Sequence, residues 1–260
     1  MRFMTLGIVL SMLLSARAAA QTAEEYIARG DSLHDAIEPE QALEQYKAAL
    51  ALQPRSAEIL WRAARSQVDV AKQIVGEHEY TRRVRDSVYT VARDFAERAV
   101  AADSLNADAH FAVGLVLGYL SRTRSGKERV TFAREIYNEA TRALELNPEH
   151  DGAHHVLGAW HAEVKRLSGL TKFFAKTFLG AGFLDQASWD GAIEHLERAV
   201  ELKPDYLFHR LELAEVYVDV GRYADARAQL RAIPDLPDQD VLDPTYRQRA
   251  ADLLEEIRDK

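Results

Sequence analysis

Four histidines, His150, His154, His155 and His161, fall within twelve residues, and Glu163 lies just beyond them. His150 and His154 are four residues apart, a spacing that sets two imidazoles on one helix face where zinc could bridge them. The surrounding periodicity, however, assigns His154 and His161 to packing positions, and packing or water binding is the expected use of such histidines. A second pattern, Arg122-Thr-Arg-Ser-Gly-Lys-Glu-Arg129, carries the glycine-lysine pair of a phosphate loop. That loop needs a preceding strand and two glycines at fixed spacing, which this sequence does not supply, so the run reads as a charged turn between helices. No Gly-x-Ser-x-Gly elbow, pair of catalytic carboxylates or glycine-rich nucleotide turn occurs. With no cysteine there is no thiol nucleophile, disulfide or cysteine-ligated zinc. The expectation is a protein that is not an enzyme and uses no metal or cofactor.

The elements around these residues repeat. Ala-Leu-Glu-Gln-Tyr-Lys-Ala-Ala-Leu-Ala-Leu-Gln-Pro (42–54), Thr-Arg-Ala-Leu-Glu-Leu-Asn-Pro (141–148) and Ala-Ile-Glu-His-Leu-Glu-Arg-Ala-Val-Glu-Leu-Lys-Pro (192–204) are near-copies of one phrase. Ten residues after each closing position, Pro54, Ser104, Pro148 and Pro204, stands a small residue: Ala64, Gly114, Gly158 or Ala214. This punctuation resembles tetratricopeptide repeats, in which two helices per unit stack on the next pair. Gly30 to Ala64 and Ala192 to Ala226 each span 34 residues, the standard period. The closing positions are instead 50, 44 and 56 residues apart. Because the ten-residue join is constant, the surplus must fall inside each repeat, between its two helices.

The expected architecture is therefore all-α: a solenoid of five helix pairs, three with insertions, and a capping helix after Pro244. The repeats run 21–56, 57–106, 107–150, 151–206 and 207–260, the last including the cap. At 260 residues the chain exceeds a usual single core, a limit a solenoid escapes because each repeat packs only on its neighbours. Residues 1–20 read as a signal peptide, with Arg2, the apolar run Leu6–Leu14 and the small-residue site Ala18-Ala19-Ala20 before Gln21. The mature chain is then expected in a periplasm or other exported compartment. Formal charge is −8, and losing Arg2 and Arg17 makes it −10, which disfavours nucleic acid and anionic lipid unless a local basic patch intervenes.

Particular words narrow the resemblance. Leu60-Trp-Arg-Ala-Ala-Arg65, His155-Val-Leu-Gly-Ala-Trp160, Phe173-Phe-Ala-Lys-Thr-Phe178 and Trp189 leading into Ala192–Ala199 resemble the regulator of microtubule dynamics family. The resemblance covers roughly residues 42 to 257 and implies interrupted helical repeats. Eukaryotic relatives are associated with microtubules and organelle membranes. An acidic, exported chain meets acidic tubulin poorly, so the fold carries over and the microtubule role stays with the relatives.

Two surfaces are candidates for a partner. Counting along each first helix, the groove-facing positions give Trp61, Arg65, Phe111, Leu115, Tyr119 and His155, with Ile27, His34, Glu163, Phe208 and Glu215. Aromatic side chains beside Arg65 suit a peptide with apolar residues and a carboxylate, although insertions folded over the groove would make them core. The long insertion, 166–184, carries Lys172, Phe173, Phe174, Lys176, Phe178 and Phe183. It reads as a membrane-surface or partner-docking element, or as an amphipathic helix packed on the solenoid.

Overall fold

The computed structural model describes residues 21–76 and 78–260, among which all regular structure is helical. The expected signal segment lies outside the described residues. Helices α1 (Ala23–Asp35) and α2 (Pro39–Leu52) form the first antiparallel pair, and α3 (Ala57–Lys72) and α4 (Glu79–Ala102) the second. The third is α5 (Ala107–Ser121) with α6 (Gly126–Leu146). In the fourth, α7 (Asp151–Arg166) is separated from α9 (Trp189–Leu202) by α8 (Gly169–Leu179) and a 3-10 turn, Gly182–Gln186. The fifth pair is α10 (Leu207–Asp219) and α11 (Tyr223–Ala232), and α12 (Asp243–Glu256) packs across both of them. Surplus residues of the second and third pairs extend the second helices, so that α4 has 24 residues and α6 has 21.

Stacking follows from small residues at the helix contacts. Ala42, Ala49, Ala92, Ala96, Ala99, Ala140, Ala143, Ala192, Ala199 and Ala226 are fully buried, letting neighbouring helices approach closely. Two glycines go further. A methyl group on Gly30 would lie 2.5 Å from the Tyr46 ring, whose hydroxyl donates to Asp31 at 2.7 Å. One on Gly158 would lie 2.7 Å from Leu196 and 3.1 Å from the Ala192 carbonyl. Helices α3, α5, α7 and α10 touch in succession and make the inner wall, while the second helices pack outside.

Helix ends are marked in the sequence. Thr22 closes a capping box with Glu25, and the side chains of Asn106, Ser168 and Ser188 accept backbone amides at the starts of α5, α8 and α9. Gly180, at φ 64, ends α8 immediately after Leu179 in the left-handed conformation that glycine tolerates.

Candidate functional site

The predicted groove residues sit on successive first helices of the inner wall, and the chain's own C-terminal segment lies against part of it. Residues 236–242 between the 3-10 turn Ile233–Asp235 and α12 are non-helical. Asp240 from this stretch is buried and accepts from Lys72 Nζ, at the end of α3, at 2.6 Å. Lys72 also donates to Asp69 at 2.8 Å, and the Tyr206 hydroxyl donates to Asp240 at 3.1 Å. Burial alone would push Lys72 down, but Asp69, Tyr119 and Asp240 outweigh it and hold the ammonium well above its usual range. Burial, with repulsion from Asp240, raises Asp69 despite the lysine. Asp240 is held low: burial opposes this, but Lys72, the Leu242 amide and Tyr206 together prevail.

Further along the segment, Tyr246 of α12 stacks on Phe208 with ring centroids 4.3 Å apart. Its hydroxyl neighbours Tyr119, and burial keeps it protonated. Tyr119 itself stacks on Tyr89 at 5.3 Å and has Lys72 Nζ 5.5 Å from its ring centroid.

The other groove positions divide. Trp61 is buried, its indole N–H donating to Glu58 at 3.1 Å, with the guanidinium groups of Arg62 and Arg65 4.3 and 5.1 Å from its ring. Arg65 is half-buried, and its Nε has no hydrogen-bond partner among the described residues. Phe111 packs over Gly152 and against the His150 ring at 4.6 Å. Leu115 is half-buried against the core.

The histidines knit helices together. His150 caps α7, its Nδ1 accepting the Ala153 amide at 3.1 Å. His154 and His155, adjacent on α7, point to different neighbours. His154 meets His195 of α9 at 3.0 Å between Nδ1 atoms, and His155 meets His209 of α10 at the same distance. His209 also contacts Asp151 at 3.0 Å. Each His–His contact requires one protonated and one bare nitrogen, the neutral pairing. Burial pushes His195 down to about 4, helped by His154 and His161, and depresses His154, His155, His161 and His209 as well. Among the described residues no group of three or more histidine or acidic side chains is placed to hold a metal ion.

The insertion separates into two parts. On α8, Phe173, Phe174 and Phe178 are 58%, 50% and 70% exposed and line up with exposed Leu170 and Leu179. Only Ala175 of this helix is buried, and α8 touches the solenoid mainly at α6. Phe183 lies elsewhere: it stacks on Trp160 at 6.3 Å with the Arg134 guanidinium 4.5 Å from its ring, so it anchors the insertion rather than joining the exposed stripe. Lys172 is half-buried, and Lys176 pairs with Asp185 at 2.7 Å.

Lys72, Asp69, Tyr206, His209, Asp240 and Tyr246 escaped the sequence reading. Asp69 and Lys72 could have been noticed as an i, i+3 charge pair, but nothing local signals that residue 240 returns to residue 72.

Helix pairs stacked in this way define a tetratricopeptide-type α-solenoid, a class whose common use is as a protein-interaction scaffold. Two solved structures share the fold. A thermophilic TPR protein of Thermus thermophilus superposes with TM-score 0.64 at 21% identity, over 90% of this chain and all of that one. PilF of Pseudomonas aeruginosa does so with TM-score 0.52 at 19% identity, over 90% of this chain and 85% of that one. The family model for regulator of microtubule dynamics protein 1-3 matches residues 26–258, and the chain belongs to that family. Regulator of microtubule dynamics protein 1 of Bos taurus is 28% identical over 254 residues, 96% of this chain and 77% of its own length. Protein 3 of Rattus norvegicus is 24% identical over 197 residues, 75% of this chain and 40% of that protein.

Proposed function

We propose that this chain is an interaction scaffold that holds an extended peptide or protein segment in its concave groove. The observation that carries this reading is the groove's treatment of residues 236–246. A non-helical stretch is seated there by a lysine–carboxylate contact and followed by an aromatic stack, two contact types suited to fixing a peptide in a helical-repeat groove. Arg65, half-buried with its guanidinium 5.1 Å from the Trp61 ring, adds a cation beside this aromatic surface. The neutral, mutually bonded histidines have no role in this reading beyond holding α7, α9 and α10 in register.

The test is affinity capture with three forms of the chain: wild type, Arg65→Ala/Tyr119→Ala, and Phe173→Ser/Phe178→Ser. The groove reading expects a partner retained by the third form and lost by the second. Loss from the third alone would contradict it.

A second reading has its own observation. Residues 164–184 contain no acid and four bases, Lys165, Arg166, Lys172 and Lys176, beside the exposed phenylalanines of α8, in a chain of net charge −8. That combination suits contact with an anionic membrane surface. Flotation with vesicles containing anionic lipid, lost on Phe173→Ser/Phe178→Ser, would support it; no flotation of wild type would end it. Export is a separate proposal that rests on the pattern of residues 1–20; intact-mass measurement of the protein from an expressing cell tests it, with a terminus at Gln21 expected and an uncleaved Met1 terminus against it. The microtubule role named for the relatives stays with them, because a chain of net charge −8 is poorly matched to an acidic partner surface.

A further inference from the structure

The contacts of residues 236–246 have the character of a bound ligand more than of a repeat. They follow the last helix pair, contain no helix before Asp243, and reach back across the array to a lysine 168 residues earlier. The segment also holds its own shape. The amides of Gln239 and Asp240 donate to Asp243 at 2.7 and 2.9 Å, the Leu242 amide donates to Asp240 at 2.9 Å, and Arg247 reaches the Leu236 carbonyl at 2.5 Å. A preformed loop loses little conformational freedom on seating or leaving.

The receptor side is equally prepared for its departure. Lys72 is shared between two carboxylates, and Asp69, three residues away on the same helix, stays in place when Asp240 withdraws. The ammonium is therefore never stranded, which is the main penalty in breaking a buried ion pair. Tyr119 likewise keeps Tyr89 when Tyr246 leaves. The groove thus contains a carboxylate socket made by Lys72 and Tyr206, and an aromatic socket made by Phe208 and Tyr119. The two sockets are occupied by Asp240 and Tyr246.

We propose that residues 236–246, the loop and the first turn of α12, are an intramolecular ligand, and that the groove's partner is a peptide with a carboxylate followed six residues later by an aromatic ring, which binds by displacing them. This rests on the groove reading and adds to it the partner's chemistry and a closed resting state. A partner offering only a carboxylate replaces one contact and leaves Tyr246 seated, so single-contact competitors are rejected. Occupied in cis, the sockets also screen the array against weak ligands, since the tethered segment competes at high effective concentration.

The experiment uses a fluorescent peptide corresponding to residues 236–248 and the full chain in three forms. Wild type is expected to bind it at least about tenfold more weakly than Asp240→Asn/Tyr246→Ala, whose sockets are vacated, because the tethered copy competes. Adding Lys72→Met to that variant is expected to abolish binding, as is a peptide with both contact residues replaced by alanine. A peptide that binds none of the forms, or all equally, overturns the proposal. Should the double variant lose its helical circular dichroism, hydrogen exchange on wild type decides. A displaceable segment exchanges its 239–243 amides faster than those of α10, through local opening. Exchange at the rate of global unfolding would make it a fixed strap and overturn the proposal. Failure here with capture still dependent on Arg65 and Tyr119 removes the intramolecular ligand alone; loss of that dependence removes the groove reading itself.

Discussion

At the scale of single residues, charge and protonation decide what the groove can do. Lys72 faces Asp69 and Asp240 and all three are buried, so removing the ammonium leaves two buried carboxylates opposed. Lys72→Met is expected to cost about 3–5 kcal/mol, the range for stranding a buried charge. Asp240→Asn should cost less, because Lys72 keeps Asp69. Urea denaturation of the two variants checks this ordering; equal costs would contradict the shared-lysine arrangement. The histidines give a pH signature. His34 and His195 are pushed down to about 4 in the fold, by burial in both cases. Unfolded, they take up protons near pH 6.5, so between about 4 and 6.5 the unfolded chain binds more protons than the folded one. Their stabilising effect is intact above that window and is lost as pH falls through it. The melting temperature should therefore drop from pH 7 to pH 4.5, and His195→Gln should flatten the drop. An unchanged slope would show that the His154–His195 contact carries no net proton linkage.

At the scale of elements, the small-residue markers differ in how much space they guard. Gly158 has no room for a methyl group between Leu196 and the Ala192 carbonyl, so Gly158→Ala should cost about 1–3 kcal/mol by overpacking. Gly114 is otherwise placed: its nearest neighbour would be a Val156 methyl at 3.4 Å, an ordinary contact. Gly114→Ala should be neutral or add up to about 1 kcal/mol, the helix preference of alanine over glycine. Thermal melts separate the pair. The same markers explain why the helix pairing could be read from the chain: ten-residue joins, closing prolines and small residues are local features with a fixed spacing. The amphipathic helix of the insertion was legible to the same degree. Phe183 was not, because its apolarity matches that of Phe173 and Phe178 while its partner, Trp160, is set by the fold. On α8 the exposed stripe should contribute little to stability, so Phe173→Ser/Phe178→Ser is expected to leave the melting temperature within about 2 °C, a surface-substitution effect.

At the scale of the whole molecule, the array is a groove with its own tail in part of it. Sequence periodicity assigns the groove positions by counting along each repeat's first helix. It cannot show that residues 240 and 246 return to those helices, since a contact between residues 72 and 240 has no periodic trace in a solenoid whose order is otherwise nearest-neighbour. Trp61 illustrates the same limit: its position is groove-facing by count, yet Glu58, Arg62 and Arg65 enclose it. Net charge acts at this scale too. A chain of net charge −8 repels a carboxylate-bearing peptide at long range, so association with the 236–248 peptide should accelerate with added salt, the reverse of electrostatic steering. Stopped-flow association at two ionic strengths measures it.

The groove assignment is tested most directly by where a partner touches the chain. A photo-crosslinking residue at Glu163, exposed on the inner helix α7, should yield partner adducts, whereas one at Asp94, exposed on the outer helix α4, should yield none. Adducts from position 94 with none from position 163 would put the partner on the outer surface and contradict the groove.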